Sequence, residues 1–264
     1  MQKIGFIGSG NMASSLAKAI LNEEPEAFII MSDKDSVKLR KLENSMQIHA
    51  AKSNPEVINS AEIIFLAVKP QDIPLVMDEI KFNLSRQKLF VSIAAGITIS
   101  YLESKLQKQR IIRVMPNIAC LVGEMAAGFS LGKYATRQDA DAVRQILDSA
   151  GKSLQLDEKL LDIVTALSGS GPAYFAFIVE SMIKAGVSNG LSREQAEILA
   201  IHTMLGTARL IIEKRMHPEQ LIGMVASKGG TTEAGLNSLR GDRIDRAISN
   251  AVNSAVKRSR ELGR

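Results

Sequence analysis

A glycine-rich turn between an apolar strand and a helix constrains this chain more than any other feature. The segment reads Ile4-Gly5-Phe6-Ile7-Gly8-Ser9-Gly10-Asn11-Met12-Ala13, and a helix-like stretch follows from Ser14 to Leu21. In such a turn Gly8 permits the tight change of direction, Gly10 lets the backbone approach a phosphate, and Ala13 lets the helix pack closely on the strand. Unpaired N–H groups at the start of the helix then face the negative charge. The spacing therefore predicts a site for the pyrophosphate of a dinucleotide.

The rest of the first half of the chain alternates apolar, strand-like runs with helix-like segments. Continuous apolar runs of this kind are typical of a parallel sheet that is covered on both faces. Residues 1–157 are therefore predicted to form a Rossmann-type, doubly wound α/β domain that binds a dinucleotide. Its further strands are predicted at Phe28 to Met31, Gln47 to Ala50, Ile63 to Val68, Leu89 to Ile93, Ile111 to Val114, Gly128 to Leu131 and Ser153 to Leu156.

Residues 158–264 have no strand pattern and are predicted to form an all-helical domain. One predicted helix is apolar around most of its circumference, with Ile198, Leu199, Ala200, Ile201, Met204, Leu205, Ala208 and Ile212. Such a helix is buried either in its own domain or in a subunit interface. Since a helical domain of roughly 100 residues buries little of its own surface, the interface is favoured. The chain is expected to be at least a homodimer that assembles through this domain.

Composition and charge narrow the class of partner. Lys and Arg outnumber Asp and Glu by 33 to 28, and the charges are interspersed, which suits small anionic molecules better than nucleic acid. No apolar run approaches the roughly 20 residues that cross a bilayer, so no membrane is expected. Cys120 is the single cysteine and no signal peptide precedes the first strand, which favours a cytoplasmic location. No metal site is expected, because the histidines lack ligand spacing.

Two loops after predicted strands are expected to meet the cofactor, because ligands bind at the carboxyl ends of the strands in such a sheet. The first is Ala67-Val68-Lys69-Pro70, in which Lys69 either faces the phosphates and ribose or is a solvated lysine in a turn. The second is Ser92 to Gly96, whose small residues let the backbone approach a nicotinamide, although an ordinary strand-to-helix turn would look the same.

The end of the second predicted strand bears on which nicotinamide cofactor binds. An NAD enzyme usually places an acidic residue there to hold the ribose hydroxyls. Here Ser32 stands first, followed by Asp33 and Lys34, and a hydroxyl beside a lysine suits a 2′-phosphate. Asp33 would take the ribose role if the strand ran one residue longer. NADP(H) is therefore favoured, with NAD(H) as the alternative.

Two segments rich in Gly, Ser and Thr precede predicted helices in the second domain. Ser168 to Pro172 comes before a helix that starts near Ala173, and Ser227 to Thr232 comes before another, which Thr231 or Thr232 can cap. The glycines of the second segment leave backbone N–H groups exposed, which suits a carboxylate. Either segment alone would be interpreted as a helix cap, but two of them beside a dinucleotide fold favour a substrate site.

No acid, base or nucleophile stands out, so the chemistry is expected to be one that the cofactor performs. Two alternatives stay open. A β-hydroxyacid dehydrogenase would use a lysine of the helical domain, for which Lys184 is the candidate, although Ser188 stands where an asparagine would be expected. A non-catalytic dinucleotide sensor would need the glycine turn but not the segment from Gly229 to Thr232.

Taken together, the motifs resemble those of pyrroline-5-carboxylate reductases over essentially the whole chain. The segments that carry the resemblance are, in order, Gly5 to Ala13, Ala67 to Pro70, Val91 to Gly96, Arg113 to Asn117, Ser168 to Tyr174 and Gly229 to Thr232. The resemblance implies reduction of the cyclic imine 1-pyrroline-5-carboxylate to L-proline with NAD(P)H, in proline biosynthesis. It also implies a homodimer or a ring of dimers, including a decamer.

The resemblance assigns site residues position by position. It places the substrate carboxylate at Gly229, Gly230, Thr231 and Thr232, where the two threonines would position the substrate for catalysis, and it places Glu158 near the ring. Lys228 replaces a proline that is usual in the family. Cofactor contacts are expected at Ile7, Gly8, Ser9, Gly10, Asn11, Met12, Ser32, Lys34, Asn54, Ala67, Val68, Lys69, Pro70, Ile93, Ala94 and Ala95.

Overall fold

The computed structural model describes residues 3–84 and 87–263 and contains an eight-stranded sheet. Its strands are β1 (Lys3–Ile7), β2 (Phe28–Ser32), β3 (His49–Ala50), β4 (Ile63–Leu66), β5 (Leu89–Ser92), β6 (Arg110–Met115), β7 (Met125–Leu131) and β8 (Gly151–Gln155). They lie in the order β3-β2-β1-β4-β5-β6-β7-β8. Strands β1 to β6 are parallel, β7 is antiparallel to β6, and β8 is parallel to β7.

The strand order confirms the predicted doubly wound fold. The chain moves outward from β1 to β3 and then crosses back to the other side of β1 to form β4. In sheets of this kind, ligands bind outside the carboxyl ends of the strands where the winding reverses. Here that point lies after Ile7 and Leu66, the last residues of β1 and β4.

Helices cover both faces of this sheet. Successive residues of a strand point to opposite faces, so Phe6 and Phe65 stack on one side, with ring centroids 4.8 Å apart, while Ile7 and Leu66 belong to the buried cluster of the other side. The first face packs against α1 (Asn11–Glu23), α2 (Ser36–Ser45) and α6 (Arg137–Asp148). The second packs against α3 (Asn54–Ser60), α4 (Ile73–Ile80) and α5 (Ile99–Leu106).

The last strands depart from the parallel arrangement that their apolar character predicts. Only a short 3₁₀ turn, Ile118–Val122, lies between β6 and β7, and a parallel return needs a connection of a dozen or more residues. Strand β7 therefore turns back antiparallel to β6. In addition, the strand predicted to reach Val68 ends at Leu66, and the one predicted to reach Ile93 ends at Ser92, so the residues that follow form loops.

The chain divides into two compact units. Unit 1 comprises Met1–Ser170 with Ser254–Arg264, and unit 2 comprises Gly171–Asn253. The predicted boundary between a cofactor domain and a helical domain at residues 157 and 158 stays a prediction, because the two compact units meet at Ser170 and Gly171 instead. Unit 2 contains α8 (Gly171–Ser188), α9 (Arg193–Glu213), α10 (Pro218–Val225), α11 (Thr231–Gly241) and the first part of α12 (Ile244–Leu262).

Unit 2 buries few of its own residues. Helices α8 and α9 pack against each other through Val179, Ile183, Ala196 and Ala200, whereas α10 and α11 contain no buried residue. Contiguous exposed apolar surface of this kind marks sites of protein–protein contact. Large apolar side chains exposed on α8 and α9 include Phe175, Phe177, Met182, Ile198, Leu199, Ile201 and Ile212.

The segment predicted as a loop before Ala173 is helical instead. Helix α7 (Leu161–Val164) continues through a π-helical turn, Thr165–Gly169, towards α8. The hydroxyl of Ser168 donates to the carbonyl of Val164 at 3.0 Å. The loop prediction was wrong because serine hydroxyls bond backward along a helix as well as capping one.

This continuous helical stretch, Glu158–Ser188, is long and apolar enough to cross a membrane by length and composition alone. The sequence did not predict this continuous stretch because Ser168 to Pro172 was interpreted as a loop that introduces a helix near Ala173. One such stretch is weak evidence for a membrane span, since apolar helices that pack against protein pass the same test.

Candidate active site

The glycine turn after β1 brings three strand ends together. Gly8 has a φ of +100°, in a region that L side chains rarely adopt, and its N–H donates to the carbonyl of Ser32 at 2.8 Å. A Cβ on Gly8 would lie 2.7 Å from the carbonyl oxygen of Ala67. Glycine therefore permits the close convergence of the ends of β1, β2 and β4.

Gly10, by contrast, borders open space. It is the N-cap of α1, with φ of −64°, ψ of 175° and no side-chain cap, and a Cβ on it would meet no heavy atom within 4 Å. The N–H groups of the first helical turn have no partner within the helix, and the helix end carries partial positive charge. This open cradle of amides fits a pyrophosphate.

Ser9 is tied to the end of the second strand. Its N–H and its hydroxyl both donate to Asp33 Oδ2 at 2.7 Å, and Asp33 Oδ1 accepts from the N–H of Asp35 at 2.9 Å. Burial by itself would raise the pKa of Asp33, but these hydrogen bonds and the charge of Lys38 outweigh it and lower the pKa below 3.8. Asp33 is thus an ionised carboxylate whose two oxygens are already engaged within the protein.

A second set of hydrogen bonds links β2, α3 and α4. The Ser32 hydroxyl donates to Asn54 Oδ1 at 2.6 Å, and Asn54 Nδ2 donates to Glu79 Oε2 at 2.7 Å. Ser32 is buried and Asn54 half-buried. Beside them the exposed Lys34 places its Nζ 3.6 Å from Asp72 Oδ2. The group thus combines neutral, acidic and basic side chains at the carboxyl end of β2.

These groups line one cavity of about 390 Å³ at the point where the winding of the sheet reverses. The predicted cofactor residues in its lining are Ile7, Gly8, Gly10, Ser32, Lys34, Asn54, Ala67, Val68 and Lys69. Asp33, which the sequence offered only as an alternative ribose contact, also lines the cavity, as do five residues that the sequence did not assign to the cofactor: Lys38, Asp72, Leu75, Val76 and Glu79. Those on α4 were missed because only the fold brings α4 beside the end of β2.

The other predicted cofactor residues lie outside that lining: Ser9, Asn11, Met12, Pro70, Ile93, Ala94 and Ala95. Pro70 starts the 3₁₀ turn Pro70–Asp72. The loop after β5 turns sharply at Gly96, with φ of +76°, and a Cβ on Gly96 would lie 3.1 Å from the carbonyl oxygen of Leu262. The end of α12 therefore packs against the loop in which a nicotinamide contact is predicted.

Glu158 takes part in a buried ion pair. Its Oε1 accepts from Arg113 Nη1 at 2.9 Å and from the N–H of Ile99 at 2.8 Å. The Arg113 side chain is only 8% exposed, against 32% for Glu158. The carboxylate thus fixes the start of α5 and neutralises a buried guanidinium, a structural role that the sequence did not indicate. Its predicted place near the substrate ring stays a prediction.

The segment predicted to receive the substrate carboxylate lies at the start of α11 in unit 2. Gly230 is its N-cap, so the prediction of a threonine cap was wrong; glycine serves at this position without a side-chain bond. Gly229 has a φ of +73°, and its N–H donates to Glu233 Oε2 at 2.7 Å. The N–H of Gly230 donates to the carbonyl of Ser227 at 3.0 Å. These two amides are engaged, which leaves those of the first turn of α11 for an anion.

The threonines predicted to position the substrate begin this helix. Thr231 is exposed and Thr232 is half-buried. Lys184, the candidate base of the dehydrogenase alternative, has its Nζ 3.8 Å from Glu180 Oε1 on the same exposed helix face. Within residues 3–84 and 87–263, no group of three or more His, Cys, Asp or Glu side chains is arranged to hold a metal ion.

Family models match both parts of the chain. Residues 158–262 match the model described as pyrroline-5-carboxylate reductase dimerisation. Residues 3–96 match the model described as NADP oxidoreductase, coenzyme F420-dependent. The first match covers all of unit 2, Gly171–Asn253, including its exposed apolar side chains.

Individual relatives extend the similarity to the full length. The pyrroline-5-carboxylate reductase of Methanosarcina acetivorans is 41% identical over 267 residues, which cover 100% of this chain and 98% of that protein. The structure of the Coxiella burnetii enzyme of that name is 31% identical, covers 100% of this chain and 99% of its own, and superposes with a TM-score of 0.95. That of the Plasmodium falciparum enzyme, solved with NADP bound, is 34% identical at 100% and 98% coverage, with a TM-score of 0.87. In sequence and in fold, the chain belongs to the pyrroline-5-carboxylate reductase family.

Proposed function

We propose that this protein is an oxidoreductase that reduces 1-pyrroline-5-carboxylate to L-proline with NADPH, the last step of proline biosynthesis. The observation that carries the proposal is the full-length similarity to enzymes of this name, at 41% identity in the first case. The cavity after β1 and β4 supports it independently, because Gly10, the N-cap of α1, lies in its lining and borders open space, and helix N-termini bind phosphate groups.

The cofactor is proposed to lie across the carboxyl ends of the strands. Its pyrophosphate would meet the amides from Gly10 to Met12, and its adenosine end would meet Ser32, Lys34 and Asn54. The nicotinamide end is proposed at the loop from Ile93 to Ala95, with Val68 to Pro70 along the way. NADP(H) is favoured because Lys34 and Lys38 border the cavity, and because a relative has NADP bound; NAD(H) is the alternative.

The chain's own contribution to the reaction is to bind and orient. When bound, NADPH supplies the hydride that reduces the C=N bond. A protonated imine is already a strong electrophile, so holding its ring carbon against the hydride donor supplies most of the rate acceleration that the reaction needs. We propose that the N–H groups and hydroxyls of Thr231 and Thr232 hold the substrate carboxylate, and that the positive end of α11 stabilises its charge.

The assembly is proposed to be a homodimer formed through residues 158–262, or a ring of such dimers such as a decamer. The absence of buried residues from α10 and α11 in the single chain supports this, because helices of this length are stable mainly through packing. A cytoplasmic location is proposed from the single cysteine. Nucleic acid and membrane are not proposed as partners.

The test is an assay of the purified full-length protein with 1-pyrroline-5-carboxylate and each of NADPH and NADH. We expect turnover with both and higher kcat/KM with NADPH. Thr232→Ala should raise the KM for the imine about fivefold, because it removes one hydrogen bond worth about 1 kcal/mol. It should leave the Kd for NADPH unchanged. Ser238→Ala, on the exposed side of the same helix, is the matched control. Turnover of a hydroxyacid without turnover of the imine would refute the proposal.

A further inference from the structure

We propose that Glu79 weakens the preference of this enzyme for a 2′-phosphorylated cofactor by fixing the direction of the hydrogen bonds from Ser32 through Asn54. This inference rests on the proposed function, since it takes the cavity to hold the adenosine ribose of a nicotinamide dinucleotide. It adds a residue of α4, which neither the sequence motifs nor the family resemblance assigned to the site.

The direction of the bonds follows from the chemistry of their last member. An ionised carboxylate only accepts hydrogen bonds, so the atom of Asn54 that faces Glu79 Oε2 at 2.7 Å must be its NH₂ group. The amide oxygen of Asn54 is thereby turned to the Ser32 hydroxyl, 2.6 Å away. A carbonyl oxygen is also only an acceptor. The single hydroxyl proton of Ser32 is therefore committed to Asn54.

The Ser32 hydroxyl consequently offers lone pairs to the cavity that it lines. A ribose hydroxyl carries a proton and can donate to these lone pairs. A 2′-phosphate that is largely dianionic at neutral pH has only acceptor oxygens to offer, and it would also face the carboxylate charge of Glu79. Both effects oppose the attraction that Lys34 and Lys38 exert on a phosphate from the same cavity.

Glu79 is held in place by the helix on which it lies. Its neighbours Val76 and Ile80 on α4 are buried in the cluster beneath the sheet, which fixes the rotation of the helix and directs Glu79 towards Asn54. Asp78, the preceding residue, points elsewhere and bonds to Lys81 Nζ at 3.0 Å. The two adjacent carboxylates therefore provide a matched pair, because only one of them contacts Asn54.

Glu79→Gln tests the inference in the full-length protein. A glutamine side chain has both a carbonyl and an NH₂ group, so Asn54 can turn over and Ser32 can donate to a phosphate. Isothermal titration with NADP⁺ and with NAD⁺ gives a ratio of the two Kd values for each variant. Relative to wild type, we expect the ratio of the Kd for NADP⁺ to the Kd for NAD⁺ to fall at least tenfold, the value of one hydrogen bond to a charged group.

Three further variants separate the effect of the hydrogen bonds from Ser32 through Asn54 to Glu79 from the effect of a negative charge near the cavity. Asp78→Asn removes a neighbouring charge and should change the ratio less than twofold. In the Ser32→Ala background, adding Glu79→Gln should change the ratio several-fold less than it does with Ser32 present, because the hydroxyl is gone and only the direct charge of Glu79 is left to remove. Thermal unfolding of each variant establishes that it is folded, and 2′,5′-ADP titrated against 5′-AMP repeats the comparison without the nicotinamide.

The outcomes distinguish this inference from the proposed function. Normal dinucleotide binding with an unmoved ratio in Glu79→Gln would overturn the inference alone. An equal change in Asp78→Asn, or an undiminished change in the Ser32→Ala background, would also overturn it, since either result would reveal a charge effect that does not pass through Ser32. If the wild-type protein bound neither dinucleotide, the proposed function and this inference would fall together.

Discussion

Replacing Gly10 by alanine should weaken cofactor binding while leaving the fold intact. The N-cap of α1 has φ of −64° and ψ of 175°, which any L residue adopts. The added methyl group would meet no heavy atom within 4 Å. It would instead occupy space beside the free amides of the first helical turn, where the pyrophosphate is proposed to lie. The substitution therefore probes the ligand rather than the apoprotein.

The expected change in the free energy of unfolding is much smaller than the expected change in the free energy of cofactor binding. In the apoprotein, alanine is a poorer N-cap than glycine, but it also restricts the unfolded chain, which stabilises by about 0.4–1 kcal/mol. The two effects offset, so the free energy of unfolding should change by less than about 1 kcal/mol. Losing one hydrogen bond to a charged phosphate costs about 1.5–3 kcal/mol. At about 1.4 kcal/mol for each factor of ten, the Kd for NADPH should rise roughly 10- to 150-fold.

Urea unfolding of the apoprotein and titration with NADPH measure the two quantities separately. Gly8→Ala is the control, because its Cβ would lie 2.7 Å from the carbonyl oxygen of Ala67 at a φ of +100°. It should lower the free energy of unfolding by about 2 kcal/mol or more, since the backbone conformation alone costs about 1–2 kcal/mol. If Gly10→Ala kept the wild-type Kd within twofold, the placement of the pyrophosphate would be refuted. If it unfolded as readily as Gly8→Ala, the argument that Gly10 borders open space in the apoprotein would be refuted.

Three further predictions concern stability and assembly. Asp33→Asn should destabilise the protein at neutral pH and have little effect at pH values well below 3.8. The reason is that the pKa of Asp33 is lowered in the folded protein, so the stabilisation by its carboxylate is lost as the pH falls through that lowered pKa. Urea unfolding as a function of pH measures the effect. Glu158→Ala should lower the free energy of unfolding by about 1–3 kcal/mol in denaturant titrations, since it leaves the buried Arg113 unpaired. Ile201→Asp, on the exposed apolar face of α9, should shift the protein towards monomer in sedimentation velocity, whereas Glu194→Gln on the same helix should not.

Local sequence chemistry predicted the parts of the site that follow each other along the chain. The turn from Gly8 to Gly10 was predictable, because a strand, two glycines at this spacing and a helix form one continuous unit. The end of β2 was predicted at Met31 and lies one residue later, at Ser32, so Asp33 is the first residue after the strand. The loop after β4 was likewise recognised, although the strand ends before Ala67.

Contacts between distant segments were not predictable in this way. Asp33 was considered only as an alternative ribose contact, and its bond to Ser9 depends on how the turns after β1 and β2 meet. Glu79 is one of several exposed acidic residues in the sequence, and only the packing of α4 brings it to Asn54. The pairing of Arg113 with Glu158 joins residues whose motifs were considered separately. In each case the partner is supplied by tertiary structure, which periodicity and capping signals do not encode.

The return of α12 to unit 1 affects how the protein can be handled. Ser259 is buried and its hydroxyl donates to Asp162 Oδ1 at 2.7 Å, and the backbone of Leu262 packs against Gly96. The end of α12 therefore packs against the loop after β5 and holds it in place. A purification tag or reporter fused to the C-terminal end would follow Leu262, which packs against Gly96, within a few residues, and its bulk would bear on the loop after β5. For titration and kinetic work, a fusion at the opposite end of the chain avoids this interference.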